Sequence, residues 1–172
     1  MISQIAEFLH IDGRLQASEM DMLFRMGIGK KCLEIGSWKG LSSFCIALGA
    51  ESLKCVDTFC ADGAIQSPTY TTLEDFKRNM KRFNHITIFA GTSLEASKID
   101  HEMYDFIFID AGHEYEDVKQ DYNLWWSHLN PKGVMAFHDY TDYYTGTKRF
   151  INETFGFPVS NIIGTLVWVV KK

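Results

Sequence analysis

The apolar residues of this sequence fall into two patterns, short unbroken runs and stripes stepping by three and four, and the two alternate along the chain. The run from Tyr104 to Ile109, rich in Phe and Ile and ending at Asp110, predicts a strand buried on both faces of a parallel sheet. Tyr115, Val118, Tyr122, Trp125 and Leu129 then trace one stripe of a helix. Asn130-Pro131-Lys132-Gly133 is expected to stop it, because proline cannot continue a helix and glycine tolerates the turn. A second run, Val134 to Phe137, ends at His138-Asp139. Tyr104 to Tyr140 thus reads as one strand–helix–strand unit. Asp110, His113, His138 and Asp139 fall at the carboxyl ends of its strands, the rim where open α/β sheets bind ligands.

The alternation continues on both sides. Ile2, Ile5 and Leu9 predict a short helix ended by Gly13, and Ser18-x-x-Asp21 predicts the start of a second carrying Met22, Leu23 and Met26. Cys32 to Gly36 is a strand running into a turn, followed by a helix from about Leu41 to Leu48. Leu53 to Val56 is a strand closed by Asp57. Thr58 to Tyr70 is a polar loop, long enough to suggest a functional role. Thr71-x-x-Glu74 caps a helix with Leu73, Phe76, Met80 and Phe83 on one face. Ile86 to Phe89 is a strand followed by Gly91-Thr92-Ser93. Thr147 to Phe155 reads as a helix and Leu166 to Val170 as a last strand. Strands alternating with helices predict an α/β fold with a doubly wound, mainly parallel sheet. Crossovers of fixed hand bring Glu34, Asp57, Ser93, Asp110 and Asp139 to one side of it.

Length and composition narrow this further. A chain of 172 residues suits one domain, 1–172, in which residues 1–29 form a helical extension at the amino end. Its longest apolar stretches are strand-sized, and no basic region with an apolar core opens the chain, so neither a membrane span nor a secretory signal is expected. Cys32, Cys45, Cys55 and Cys60 show no CxxC spacing, and three lie in apolar runs, which fits reduced thiols and a cytoplasmic location. A net charge of −5 argues against nucleic acid as the main partner.

The chemistry concentrates after the first strand. Gly36 allows a tight turn with close backbone approach to a ligand, and the turn leads into a helix whose free amides favour a negative group. Only two glycines occur, four apart, instead of the G-x-G-x-x-G of a dinucleotide site. An acid two positions before the first glycine suits a cationic amino group better than a pyrophosphate. Asp57, about twenty residues on, is placed to accept hydrogen bonds from ribose hydroxyls. A zwitterion joined to a nucleoside satisfies all three features.

Glu34-x-Gly36-x-x-x-Gly40 followed by Asp57 resembles motif I and the ribose-binding acid of class I S-adenosylmethionine-dependent methyltransferases. The segment running from Phe106 through Asp110-Ala111-Gly112-His113, Trp125-Trp126 and Leu129-Asn130-Pro131-Lys132-Gly133 to Phe137-His138-Asp139-Tyr140 resembles small bacterial sugar and antibiotic O-methyltransferases. More distantly it resembles the metal-dependent catechol O-methyltransferase type. The resemblance implies a Rossmann-like methyltransferase fold with a final antiparallel strand. It implies that Glu34 holds the methionine amino group, with Gly36, Ser37 and Gly40 shaping the turn around it. Ser42 would meet the carboxylate, Asp57 the ribose, and Ser93 the adenine, with Asp110 at the edge of the cofactor site. Asp110 and Asp139 match two metal-ligand positions, with His138 a further candidate ligand beside them, and His113 matches the general base. His138 stands where metal-dependent members carry a carboxylate, which argues against magnesium and leaves manganese or no metal.

The expected reaction is O-methylation of a small hydroxylated acceptor, a sugar or natural product, with His113 as base and Asp110 beside it. Three alternatives compete with it: a regulatory protein that binds S-adenosylmethionine without turnover, a nicotinamide-dependent reductase disfavoured by Glu34, and an N-methyltransferase. Trp125 and Trp126 read as packing residues. Trp38, Tyr140, Tyr143 and Tyr144 sit in rim loops as candidates for an acceptor wall, and such aromatic loops also suit a homodimer.

Overall fold

The computed structural model describes residues 2–60, 72–156 and 158–172. Most of the loop Thr58–Tyr70, and the expected cap Thr71, lie outside the described residues. In chain order the elements are α1 (Ile2–Phe8), α2 (Ala17–Gly27), β1 (Lys31–Ile35), α3 (Leu41–Ala47), β2 (Ser52–Asp57), α4 (Leu73–Met80), β3 (Ile86–Ala90) and α5 (Ser93–Ile99). They continue with β4 (Tyr104–Ile109), α6 (Tyr115–Trp125), β5 (Leu129–Phe137), α7 (Thr145–Phe155), β6 (Ile162–Ile163) and β7 (Leu166–Val170).

Seven strands form one sheet in the order β3-β2-β1-β4-β5-β7-β6. β1 to β5 are parallel, β7 runs antiparallel to β5, and β6 pairs antiparallel with β7. This is the expected doubly wound α/β sheet with its antiparallel carboxyl end. Side chains of a strand point alternately to opposite faces, and here both faces are covered. In β4, Phe106 and Phe108 enter the core layer shared with α1 to α4, while Ile107 and Ile109 enter the layer containing Val118, Trp125 and Phe150 of α6 and α7. The unbroken apolar run of β4 is the sequence trace of that two-sided burial.

α1 and α2 place Ile2, Ala6, Leu23 and Met26 in the first layer, so the helical extension is packed against the sheet unit. Under β2 and β4, Lys54 Nζ lies 2.7 Å from Asp100 Oδ2, which also accepts the Tyr104 hydroxyl at 2.7 Å. Cys32, Cys45 and Cys55 are buried and free, and burial pushes the thiols of Cys32 and Cys45 up to about 12. Among the described residues no helix is long and apolar enough to cross a membrane.

Several boundaries differ from expectation. α6 ends at Trp125, and a short 3-10 turn, Trp126–His128, intervenes. Leu129 already pairs with Tyr104, so the presumed stop Asn130–Gly133 is the irregular first half of β5, where the register shifts and Lys132 adopts φ 65°. α7 begins at Thr145, and α2 begins one residue before the expected cap Ser18. α5 was not anticipated, because seven residues display too little periodicity, although Thr92 and Glu95 form a capping box at its start.

Candidate active site

The carboxyl ends of the parallel strands are drawn level by backbone hydrogen bonds that continue past the strands themselves. Gly36 N donates to Val56 O, Asp110 N to Ile35 O, Gly91 N to Asp57 O and His138 N to Ile109 O, all between 2.8 and 3.1 Å. Gly36, at φ 88°, packs so closely on Asp110 that a Cβ would overlap the Asp110 carbonyl group. Any side chain there would force β1 and β4 apart.

Above this rim lies a cleft of about 790 Å³. Gly36, Ser37, Ser42, Asp57, Ser93, Asp110, His113, His138 and Asp139 all line it, as do Arg14 and Leu15 from the segment before α2. Asp57 Oδ2 accepts Ser37 N at 2.7 Å and Trp38 N at 2.8 Å, while Oδ1 accepts Phe59 N. Asp57 therefore closes the turn after β1. Ser93 Oγ accepts Trp125 Nε1 at 2.8 Å, which holds the hydroxyl at the cleft wall from beneath.

Two expected cofactor contacts are placed differently. Glu34 is fully buried and does not line the cleft. Strand parity turns it, like Cys32, toward α3, where Ser37 Oγ donates to Oε2 at 2.7 Å and Ser43 Oγ donates to the same oxygen. Among the described residues Oε1 has no hydrogen-bond partner. Burial pushes the carboxyl up to about 7, against the opposing pull of the nearby Ser42, Ser43 and Ser37 hydroxyls. Glu34 thus braces the turn from below. Gly40 also stays off the cleft wall: at φ 94° it caps α3, and a Cβ would crowd Met80 and Phe76.

At the other end of the cleft four side chains interlock. His138 Nδ1 lies 3.4 Å from Asp110 Oδ1 and 3.3 Å from Asp139 Oδ1, and His113 Nδ1 lies 3.5 Å from Asp139 Oδ2. Burial alone would lower the His138 pKa, but the carboxylates of Asp110, Asp139 and Glu19 outweigh it and raise it to about 12. Asp139 adopts φ 59°, a left-handed conformation that aspartate tolerates better than most residues. The His113 ring packs on Tyr144 with centroids 4.1 Å apart. Asp110, His138 and Asp139 each offer one donor atom, all within 4.8 Å of one another. Two donors about 2.1 Å from one cation stand roughly 3 Å apart, so the His138 spacings fit such a group.

Sequence reasoning missed two buried acids here. Asp121 of α6 is 4% exposed and lines the cleft beside Ser93, and burial pushes its carboxyl up to about 6. Glu19 of α2 is fully buried behind His138. Each had a signal: Asp121 lies on the stripe Val118–Trp125, and Glu19 on the stripe Leu23–Met26, so each is a carboxylate on an apolar face.

A seven-stranded sheet of this order, with a cleft over the carboxyl ends of β1, β2 and β4, is the fold of class I S-adenosylmethionine-dependent methyltransferases. Residues 33–140, more than half of the chain, match the family described as Methyltransferase domain, and the chain belongs to that family. It is 27% identical over 157 residues to the uncharacterized protein y4gI of Sinorhizobium fredii, a match covering 81% of this chain and 17% of that one. The chain thus spans under a fifth of that relative's length. Among solved structures it resembles the O-methyltransferase of Bacillus cereus in complex with SAH, at TM-score 0.68 and 16% identity, covering 99% of this chain and 89% of that one. TomG of Streptomyces achromogenes, an O-methyltransferase involved in tomaymycin synthesis and solved with SAM, is similar at TM-score 0.69 and 16% identity, with 99% and 89% covered. At these identities the likeness to solved structures is one of fold.

Proposed function

We propose that this methyltransferase transfers the methyl group of S-adenosylmethionine to a hydroxyl of a small acceptor, a sugar or a hydroxylated natural product. The observation that carries the reading is the two-ended cleft: the Asp57-closed turn and Ser93 at one end, the His113–Asp139 pair at the other. Asp57 accepts the ribose hydroxyls, Ser42 and the Ser37 region meet the methionine part, and Ser93 with Asp121 borders the adenine.

The sulfonium methyl is already activated, so alignment is the larger share of the task. The acceptor oxygen forms the new O–CH3 bond as the S–CH3 bond breaks and its electron pair returns to sulfur, leaving S-adenosylhomocysteine. The acceptor's proton passes to His113, whose Nδ1 faces Asp139 Oδ2 and whose Nε2 is the nitrogen left to receive it. Asp139, 3.5 Å from Nδ1, orients that ring. Asp110, His138 and Asp139 would hold a divalent cation, and with one nitrogen donor the set suits manganese better than magnesium; bound there, the cation lowers the pKa of an acceptor hydroxyl.

Purified protein, labelled S-adenosylmethionine and a panel of sugars and phenolic natural products test this, with and without Mn2+. Transfer to oxygen that falls at least a hundredfold in His113→Ala supports the reading. Tight cofactor binding with no transfer to any acceptor under any cation would favour the regulatory alternative.

A further inference from the structure

Behind His138, outside the residues matched by the family model, two side chains converge on the ring. Glu19 Oε1 accepts Thr165 N at 2.7 Å and the Thr165 hydroxyl at 2.9 Å. Its Oε2 accepts Gln16 N at 2.7 Å and lies 3.4 Å from His138 Nε2. Thr165 Oγ1 is itself 3.1 Å from His138 Nε2. The approach is tight: a Cβ at Gly164 would fall 2.5 Å from Glu19 Oε1, and Gly164 adopts φ 58°. A carboxylate on an otherwise apolar stripe of α2 is thus bound from the β6–β7 turn and from its own helix start.

The bonding assigns the hydrogen on Nε2. Thr165 has one hydroxyl proton, and the ionised Glu19 carboxylate can only accept, so that proton points at Glu19. Toward His138 the Thr165 oxygen then acts as acceptor, and Nε2 must carry hydrogen. Nδ1 faces Asp110 and Asp139, whose carboxylates hold a proton on it until a cation takes that proton's place. Imidazoles that bind metals characteristically donate their second N–H to a carboxylate, which fixes tautomer and orientation.

We propose that Glu19 and Thr165 are positioning residues for methyl transfer: they lock the His138 imidazole with Nε2–H turned inward and present Nδ1 to the cleft, completing a two-carboxylate, one-imidazole site for a divalent cation of manganese type. The cation rests on the function proposed above, whereas the ring lock does not. Glu19 and Thr165 act through His138 and touch neither cofactor nor acceptor.

The test uses the full chain and Glu19→Gln, Glu19→Ala and Thr165→Val. Three readouts are taken: the ring nitrogens of His138 by 15N NMR, Mn2+ binding by electron paramagnetic resonance, and S-adenosylmethionine binding by calorimetry. In the unaltered chain Nε2 is expected to keep its hydrogen in a single ring state whether or not Nδ1 is protonated. Glu19→Ala and Thr165→Val should give mixed or averaged ring states and weaken Mn2+ about 10–100-fold, with cofactor affinity held within twofold. Glu19→Gln, which keeps an acceptor for Thr165, should recover part of the loss. In a His138→Ala background Glu19→Gln should cost no further Mn2+ affinity. An unaltered chain without hydrogen on Nε2 overturns the proposal, and that measurement stands even if a variant fails to fold. Variants that lose thermal stability and cofactor affinity together, with the His138 ring signals unchanged, also overturn it. If the unaltered chain binds no Mn2+, the cation reading falls, and the ring signals alone decide the lock.

Discussion

Glu34→Gln removes a charge from the most enclosed carboxyl beneath the cofactor turn, and its effect depends on pH in a calculable way. The carboxyl titrates at about 7 in the folded chain against an ordinary value of 4.5. Each tenfold difference in proton affinity is worth about 1.4 kcal/mol, so above pH 7 the ionised group costs about 3 kcal/mol of stability. Between pH 4.5 and 7 the folded chain keeps a proton that the unfolded chain has released. Unaltered stability therefore falls as pH rises through that window, and a neutral amide lacks this loss. Glutamine retains an oxygen for Ser37 and Ser43, and its NH2 takes the side where Oε1 has no partner. An unpaired buried donor can cost about 1–3 kcal/mol, so the difference between the two pH profiles is more telling than either absolute stability. Urea unfolding followed by circular dichroism at pH 4.5, 6, 7 and 8 supplies both. The variant should gain about 2–3 kcal/mol on the unaltered chain between pH 4.5 and 8. Parallel profiles would show that Glu34 is ionised or solvated in the fold, and would refute this account of the turn.

His113→Ala should lower kcat by about 100- to 10,000-fold while calorimetry finds S-adenosylmethionine binding nearly unchanged, since in the proposed function the ring acts at the acceptor end. Asp57→Ala strips acceptors from Ser37 N, Trp38 N and Phe59 N and, in the proposed function, from the ribose, and should weaken cofactor binding by about 10- to 100-fold in the same assay. Asp100→Ala leaves Lys54 and the Tyr104 hydroxyl without their acceptor, far from the cleft, and should cost about 3 kcal/mol in urea unfolding with cofactor affinity intact.

Much of the architecture was legible because buried parallel strands are nearly all apolar. Phe106 to Ile109 could hardly be anything but a doubly covered strand, and a polar residue just past each strand marked the rim. The short elements were not legible: Ser93–Ile99 is two turns long, and Ile162–Ile163 pairs only because β7 already stands beside β5. Asn130-Pro131-Lys132-Gly133 looked like a pure stop, since sequence cannot show that a neighbouring strand will absorb an irregular start through a register shift.

The residues by themselves determined which chemistry the protein could hold: a glycine turn after an acid, a second acid one strand later, and histidine–aspartate pairs past two further strands. Chain order and strand propensity suffice for that, because crossover handedness puts every strand end on one rim. Only the tertiary structure decided which of these groups face the cleft. Strand parity buried Glu34 beneath serines, helix docking brought Glu19 to the back of His138, and packing against Trp125 set Ser93 in place. Those outcomes depend on contacts between residues as far apart as Glu19 and Thr165, whose spacing along the chain carries no information about their separation in space.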